Sequence, residues 1–299
     1  MGQDKVDIRE ALNERDGFQV WWRLMRPHTL TAAFIPVFVG TVFAYVEEQI
    51  FKADLFLVML LACLLIQIAV NMFNEYYDYV RGLDNEQSVG IGGTIVRDGV
   101  APKTVLRLGF ALFGISIILG IYICMQSSWW IAVIGLASML VGYLYTGGPI
   151  PIAYTPFGEL ASGLLMGTVI IAISYFIQTL SVTKEVIFVS IPVAIFIGSI
   201  LLANNIRDLD GDKENGRKTI AILLGRKNAI KFLASLFIAA YGLTIVLIFF
   251  GILPVWALLT LLSVKKASEA VKGFIGKTMP IEMMPAMAAT AKTNTIYGF

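Results

Sequence analysis

The chain has 299 residues, of which 57% are hydrophobic and 15% charged, with a net charge of +2. A soluble domain carries about 25% charged residues, so most of this surface must meet something other than water. A single histidine, His28, and two cysteines in apolar runs, Cys63 and Cys124, argue against zinc, haem, His-triad catalysis and a disulfide framework. Any metal would have to be held by oxygen, and no nucleic-acid partner is expected.

In chain order, residues 1–28 read as a cytosolic or interfacial segment. Asp4, Lys5, Asp7, Arg9, Glu10, Glu14, Arg15 and Asp16 leave no apolar stretch of the kind a cleavable signal needs. Val6, Leu12, Phe18, Trp21 and Trp22 offer a face for a membrane surface. Residues 29–299 read as a single transmembrane domain, because apolar runs recur to the end without a soluble-length gap. A helix needs about 20 apolar residues to cross the hydrocarbon layer. Spans are expected over 29–46, 54–77, 104–126, 129–145, 157–180, 186–206, 228–250 and 253–264. The eighth is short and continues if Lys265 and Lys266 snorkel. A ninth, shortened or truncated, starts near Ile281. The expected fold is an all-α integral membrane protein of about nine transmembrane helices.

Charge sets the orientation. With these spans, all but Lys52, Lys184 and Lys292 of the 23 lysines and arginines fall on the side of the N-terminus. Positive charge accumulates on the cytosolic side, so the N-terminus is expected there, in a multi-pass membrane protein. Trp21, Trp22, Trp129, Trp130 and Trp256 fall near span ends, as an aromatic belt does.

Two acidic ladders stand out against this background. Span two ends in Gln67, Asn71, Asn74, Glu75 and Asp78, followed by Arg81, Gly82 and Asp84. Span six ends in Asn204, Asn205, Arg207, Asp208, Asp210 and Asp212. Spacings of three and four put the rungs of each ladder on one helix face. Two carboxylates about 4 Å apart repel by about 4 kcal/mol at an effective dielectric near 20, so stacking them is unfavourable without a cation. Oxygen ligands suit Mg²⁺, which commonly takes one or two carboxylates and completes its shell with water and phosphate oxygens. Either ladder alone could merely cap a helix. Two with matching spacing on one side favour a shared Mg²⁺–diphosphate site.

The loops after the ladders fit an anion. Gly90, Gly92, Gly93 and Gly99 surround Arg97, and glycines let backbone amides approach a phosphate closely. The loop after the second ladder carries Lys213, Gly216, Arg217, Lys218 and Thr219, although any one cation there could reflect only the positive-inside bias. Thr146-Gly147-Gly148-Pro149 reads as a turn, flanked by Tyr143, Tyr145, Tyr154 and Glu159. Lys292 and Asn294 lie within the last span, where an ionisable group is a functional candidate by default.

At these residues the chain resembles the UbiA superfamily of intramembrane prenyltransferases, over a stretch from Arg26-Pro27-His28-Thr29-Leu30 to 292–297. The runs Asn74-Glu75-Tyr76-Tyr77-Asp78-Tyr79, Gly92-Gly93 and Leu144-Tyr145-Thr146-Gly147-Gly148-Pro149 are most similar to its branch that prenylates 1,4-dihydroxy-2-naphthoate. The general pattern has Asn-Asp where this chain has Asn74-Glu75, and an Asp where it has Gly82; Asp84 follows two residues later.

The resemblance implies a ring of helices around a central cavity and two Mg²⁺ ions. Asn74, Asp78, Asn204, Asp208 and Asp212, with Asp84 a further candidate, would be the metal-binding and catalytic set. Arg81, Arg97 and Lys218 would contact the diphosphate of a polyprenyl diphosphate, while Arg26, Tyr145 and Lys292 would contact the aromatic acid. The implied reaction joins the polyprenyl group to dihydroxynaphthoate with loss of CO₂ and diphosphate, giving demethylmenaquinone in a bacterial cell membrane. Transfer to 4-hydroxybenzoate, homogentisate or haem, or a cation-coupled transporter using the same acids, are the alternatives.

Overall fold

The computed structural model describes residues 17–84 and 93–299. Among these residues every regular element is helical. The charged run 4–16, Gly90 and Gly92 lie outside the described residues.

Helix α1 (Phe18–Met25) buries Leu24 and exposes Phe18, Trp21 and Trp22. Helices α2 (Thr31–Glu48) and α3 (Ala53–Val80) follow. At 1.5 Å per residue α3 is about 42 Å long, so its polar last turns extend beyond a hydrocarbon layer of about 30 Å. A single turn, α4 (Thr94–Arg97), precedes α5 (Pro102–Gln126) and α6 (Trp130–Leu144). Then come α7 (Gly158–Thr179), with a π-helical stretch at Gly163–Val169, and α8 (Lys184–Arg207). Two short helices, α9 (Leu209–Glu214) and α10 (Ile220–Leu224), lead to α11 (Arg226–Phe249). A 3₁₀ stretch, Val255–Ser263, runs directly into α12 (Val264–Phe274), and α13 (Pro280–Gly298) ends the chain.

Among the described residues six helices, α2, α3, α5, α7, α8 and α11, are long and apolar enough to cross a membrane. The other expected spans are helical but shorter or more polar. Helix α6 has 15 residues. The eighth runs on through Lys265 and Lys266 as far as Phe274, changing from 3₁₀ to α geometry at Ser263. The last is α13, with 19 residues.

Small residues let the helices approach. A Cβ on Gly40 of α2 would collide with the carbonyl oxygen of Ile171 in α7, and one on Gly167 would sit 2.5 Å from Cα of Ala194 in α8. Such close backbone packing is how helices associate where lipid removes the hydrophobic driving force. The two ends of the bundle meet. Thr31 and Thr295 share a hydrogen bond of 2.7 Å, Asn294 Nδ2 donates to Thr31 Oγ1 at 3.1 Å, and the Phe299 ring packs on Phe34 and Phe38. Asn294, singled out as a polar residue in an apolar run, thus joins the last helix to α2.

Candidate active site

Both ladders end where a helix breaks and the chain folds back. After Val80 the amides of Leu83 and Asp84 return to the carbonyl of Asp78 at 2.9 and 3.2 Å, through Gly82 at a φ of 75° that a glycine adopts without strain. Asp84 is thereby carried back over Asp78. Burial, then the nearby Asp78 carboxylate, push its carboxyl up to about 6, against the pull of Arg26. In the second ladder α8 stops at Arg207, and Asp212 donates its amide to the carbonyl of Asp208 at 2.9 Å. Gly216, at a φ of 77°, turns the chain so that the amide of Arg217 reaches the carbonyl of Asp212 at 3.0 Å.

That second turn joins the two ladders. Arg217 Nη2 donates to Asp78 Oδ1 at 2.7 Å and its Nη1 to Asp212 Oδ1 at 3.0 Å. Its guanidinium also lies 5.2 Å from the ring centre of Tyr154. Burial would lower the Arg217 pKa, but Asp78 and Asp212 outweigh it and hold the cation firmly protonated. Burial pushes the Asp212 carboxyl up to about 7, with Arg217 opposing and Asp208 and Asp78 adding to the rise. Among the described residues Asp212 Oδ2 is buried without a hydrogen-bond partner. A buried carboxylate oxygen without a donor is an unfavourable arrangement that a cation would relieve.

Other rungs are already engaged. Glu75 is 1% exposed; it accepts from the Gly93 amide at 2.7 and 2.9 Å, Thr94 Oγ1 at 3.0 Å and the Ile95 amide at 3.3 Å, and pairs with Arg26 at 3.3 Å. It pins the start of α4 to α3. Asn71 holds the Met25 carbonyl at 2.8 Å and Thr29 Oγ1 at 2.9 Å. Asn74 Oδ1 accepts from Thr146 Oγ1 at 2.7 Å. Asp208 pairs with its neighbour Arg207, whose Nε donates to Oδ1 at 2.6 Å. Asn205 Nδ2 donates to Glu159 Oε1 at 2.9 Å.

Below this mouth lies a cavity of about 450 Å³, a size typical of small-molecule sites. Arg26, Thr29, Gln67, Asn71, Asn74, Tyr145 and Asn204 line it among polar residues, while Met59, Cys63, Ile66, Ile121, Ile173 and Ile200 form part of its apolar wall. Arg26 sits between α1 and the following 3₁₀ turn at a φ of 52°, rare for a residue with a Cβ, and its Nε is buried with no partner among the described residues.

The expected site residues divide accordingly. Asp78 and Asp212 meet through Arg217, Asp84 folds over Asp78, and Asn74, Asn204, Arg26 and Tyr145 line the cavity. Arg81 instead secures the predicted turn, bonding the carbonyls of Thr146 and of Gly148, the latter at 2.8 Å. Arg97 is half-buried, with its guanidinium beside Gly93, and is not part of the cavity wall. The Lys218 side chain is exposed while its amide donates to the Tyr154 carbonyl at 3.0 Å. Lys292 is exposed and outside the cavity wall. Sequence reasoning passed over Arg217 in favour of Lys218; the signal that separates them is Gly216, whose turn aims the next residue back at Asp212. It also left the clamping by Glu75 unassigned.

Among the described residues no three His, Cys, Asp or Glu side chains converge as a closed metal cage. Mg²⁺ does not need one, since it is bound by one or two carboxylates together with substrate phosphates and water. The partnerless oxygen of Asp212 beside Asp78 fits that requirement.

A bundle of apolar helices with an acidic, arginine-bridged mouth above a largely apolar cavity suits a ligand with a charged head and a greasy tail. Residues 33–267 match the model of the UbiA prenyltransferase family. The chain belongs to that family and is a prenyltransferase of the UbiA type. It is 56% identical over 283 residues to the 1,4-dihydroxy-2-naphthoate octaprenyltransferase of Bacillus subtilis strain 168, covering 94% of this chain and 90% of that one. It is 25% identical over 297 residues to the Escherichia coli K12 protein of the same name, covering 93% and 94%. The solved structure of a UbiA homologue from Archaeoglobus fulgidus bound to GPP and Mg²⁺ matches with a TM-score of 0.68 at 17% identity, over 94% of this chain and 98% of that one, a likeness of fold.

Proposed function

We propose that the protein transfers a polyprenyl group from polyprenyl diphosphate to 1,4-dihydroxy-2-naphthoate in a Mg²⁺-dependent reaction, releasing diphosphate and CO₂. One observation carries the reading: carboxylates from the two ladders, Asp78 and Asp212, meet on a single guanidinium at 2.7 and 3.0 Å. The names of the Bacillus subtilis and Escherichia coli relatives support the acceptor.

Asp78, Asp208 and Asp212, with Asp84 and the side-chain oxygens of Asn74 and Asn204, would hold Mg²⁺. When bound, Mg²⁺ supplies neutralisation of the charge that builds on a departing diphosphate. Arg217 holds both ladders together and offers donors to the same anion, since a guanidinium suits phosphate oxygens. Arg26 and Tyr145 both line the cavity and would meet the acceptor carboxylate.

The apolar wall keeps water from the allylic carbon as the C–O bond breaks. The naphthoate ring carbon that bears the carboxylate bonds to that carbon. The bond to the carboxylate then breaks, its electron pair returns to the ring and CO₂ leaves. No proton has to be removed, so no general base is needed. The first product is the quinol form of demethylmenaquinone. The cavity of about 450 Å³ would take the allylic end of the chain, and a long tail would extend into lipid.

We place the N-terminus and both ladders on the cytosolic side of a bacterial membrane, on the positive-inside asymmetry, and read residues 29–299 as one transmembrane domain. The test supplies purified protein with labelled polyprenyl diphosphate and each aromatic acid in turn. The proposal expects labelled naphthoquinol and CO₂ with dihydroxynaphthoate, and fails if 4-hydroxybenzoate is prenylated instead.

A further inference from the structure

A second cavity, of about 580 Å³, opens between the start of α11 and the end of α12. Ile230 and Phe274, both buried, and Val271 give it apolar walls, and Arg226, Lys227, Lys231 and Lys277 stand around it. The ion pair from Arg226 to Asp210, at 3.0 Å, fixes this groove at the same end of the bundle as the acidic ladders, where a helix leaves the hydrocarbon layer. It shares no wall residue with the cavity below the ladders.

The charges around it are out of balance. Arg226 is matched by Asp210, and Lys277 lies 3.7 Å from Glu282. Lys227 and Lys231 have no hydrogen bond or ion pair among the described residues, and they stand four apart on one helix. Like charges at that spacing repel. Arg226 Nε, in addition, is buried with no partner among the described residues. Two uncompensated ammonium groups at the rim of an apolar groove, at headgroup level, match a molecule with an anionic head and a hydrocarbon tail. Basic pockets between transmembrane helices take anionic lipid headgroups for this reason.

We propose that this groove binds an anionic phospholipid, with the phosphate held by Lys227 and Lys231 and the first part of an acyl chain lying along Ile230, Val271 and Phe274. The lipid site is separate from the prenyl-transfer site and does not depend on which acceptor that site uses.

The experiment reconstitutes the full chain in nanodiscs of equimolar phosphatidylglycerol and phosphatidylcholine, and reads the lipids retained after transfer to detergent by native mass spectrometry. Wild type is expected to keep phosphatidylglycerol in preference to phosphatidylcholine. The Lys227→Gln/Lys231→Gln double variant is expected to keep on the order of tenfold less, since each cation near an anionic lipid contributes appreciably. Lys272→Gln, an exposed position on α12 outside the groove, is expected to keep the wild-type amount. A melting temperature equal to that of wild type shows that the double variant is folded; if it is not, single Lys231→Gln is read the same way, with a smaller drop. Equal retention of the two lipids by wild type, or undiminished phosphatidylglycerol on a folded variant, overturns the proposal.

Discussion

The two acidic ladders share a spacing but differ in how their polar atoms are spent. In the first, Asn71 and Glu75 are committed to neighbouring backbone and side chains, Asn74 Oδ1 takes one bond from Thr146 and keeps a second lone pair at the cavity wall, and Asp78 is the rung that faces the second ladder. In the second, Asn204 lines the cavity, Asp208 pairs with its neighbour Arg207, and Asp212 keeps one oxygen with no partner among the described residues. The first ladder builds the mouth and the second leaves it reactive. Repeated spacing therefore marks where polar groups gather, and the partners of each atom decide which of them remain free for a ligand.

The comparison breaks first at Asp78 and Asp212. Asp78→Asn and Asp212→Asn are each expected to lower prenyl transfer by about 10²–10³-fold, the range for losing a group that stabilises transition-state charge. Equal damage from Asn71→Ala would erase the distinction. Arg217→Gln comes next, with an expected loss of about ten- to hundredfold in kcat/KM, corresponding to about 1.5–3 kcal/mol for charge-assisted bonds.

Glu75→Gln tests the structural half of the contrast. Its expected signature is a loss of about 1–3 kcal/mol of stability, read as a lower Tm in detergent, because Arg26 and the Gly93 amide lose a charged acceptor. The free half is tested by pH. The Asp212 carboxyl, raised to about 7 from 3.8, binds more protons folded than unfolded between those values. Its stability contribution in the metal-free protein is present at low pH and lost as pH rises through 7. Holding Mg²⁺ requires the deprotonated form, so the Tm gain from added Mg²⁺ is expected to be larger at pH 8 than at pH 6, with affinity falling by up to about tenfold per unit below 7. A gain that does not vary with pH would remove Asp212 from the metal site. Lys218→Gln is expected to change kcat/KM by no more than about twofold, as an exposed charge does.

Much of this was legible in the sequence, for physical reasons. Apolar runs of bilayer length have few other uses, and the ladders were visible because carboxylates stacked at helical spacing repel. The role of each rung was not. Asn74 and Glu75 are adjacent, hence about 100° apart around the helix axis, so one meets Thr146 and the other the amides of Gly93 and Ile95. Reading the ladder as a single face blurred that division. Arg217 was hidden among loop cations that the positive-inside bias supplies in any case, and only the turn at Gly216 selects it over Lys218. The meeting of the chain ends through Thr31, Asn294 and Thr295 rests on contacts across more than 260 positions, which local patterning does not encode.

The central claim is that Asp78 and Asp212 act together on one diphosphate. Its most direct test is isothermal calorimetry of a non-hydrolysable polyprenyl diphosphate analogue binding to wild type, to each Asn variant and to the double variant, with and without Mg²⁺. Shared action predicts Mg²⁺-dependent binding that either substitution weakens strongly, with the double variant scarcely weaker than the singles. Additive losses, or binding indifferent to Mg²⁺, would contradict it.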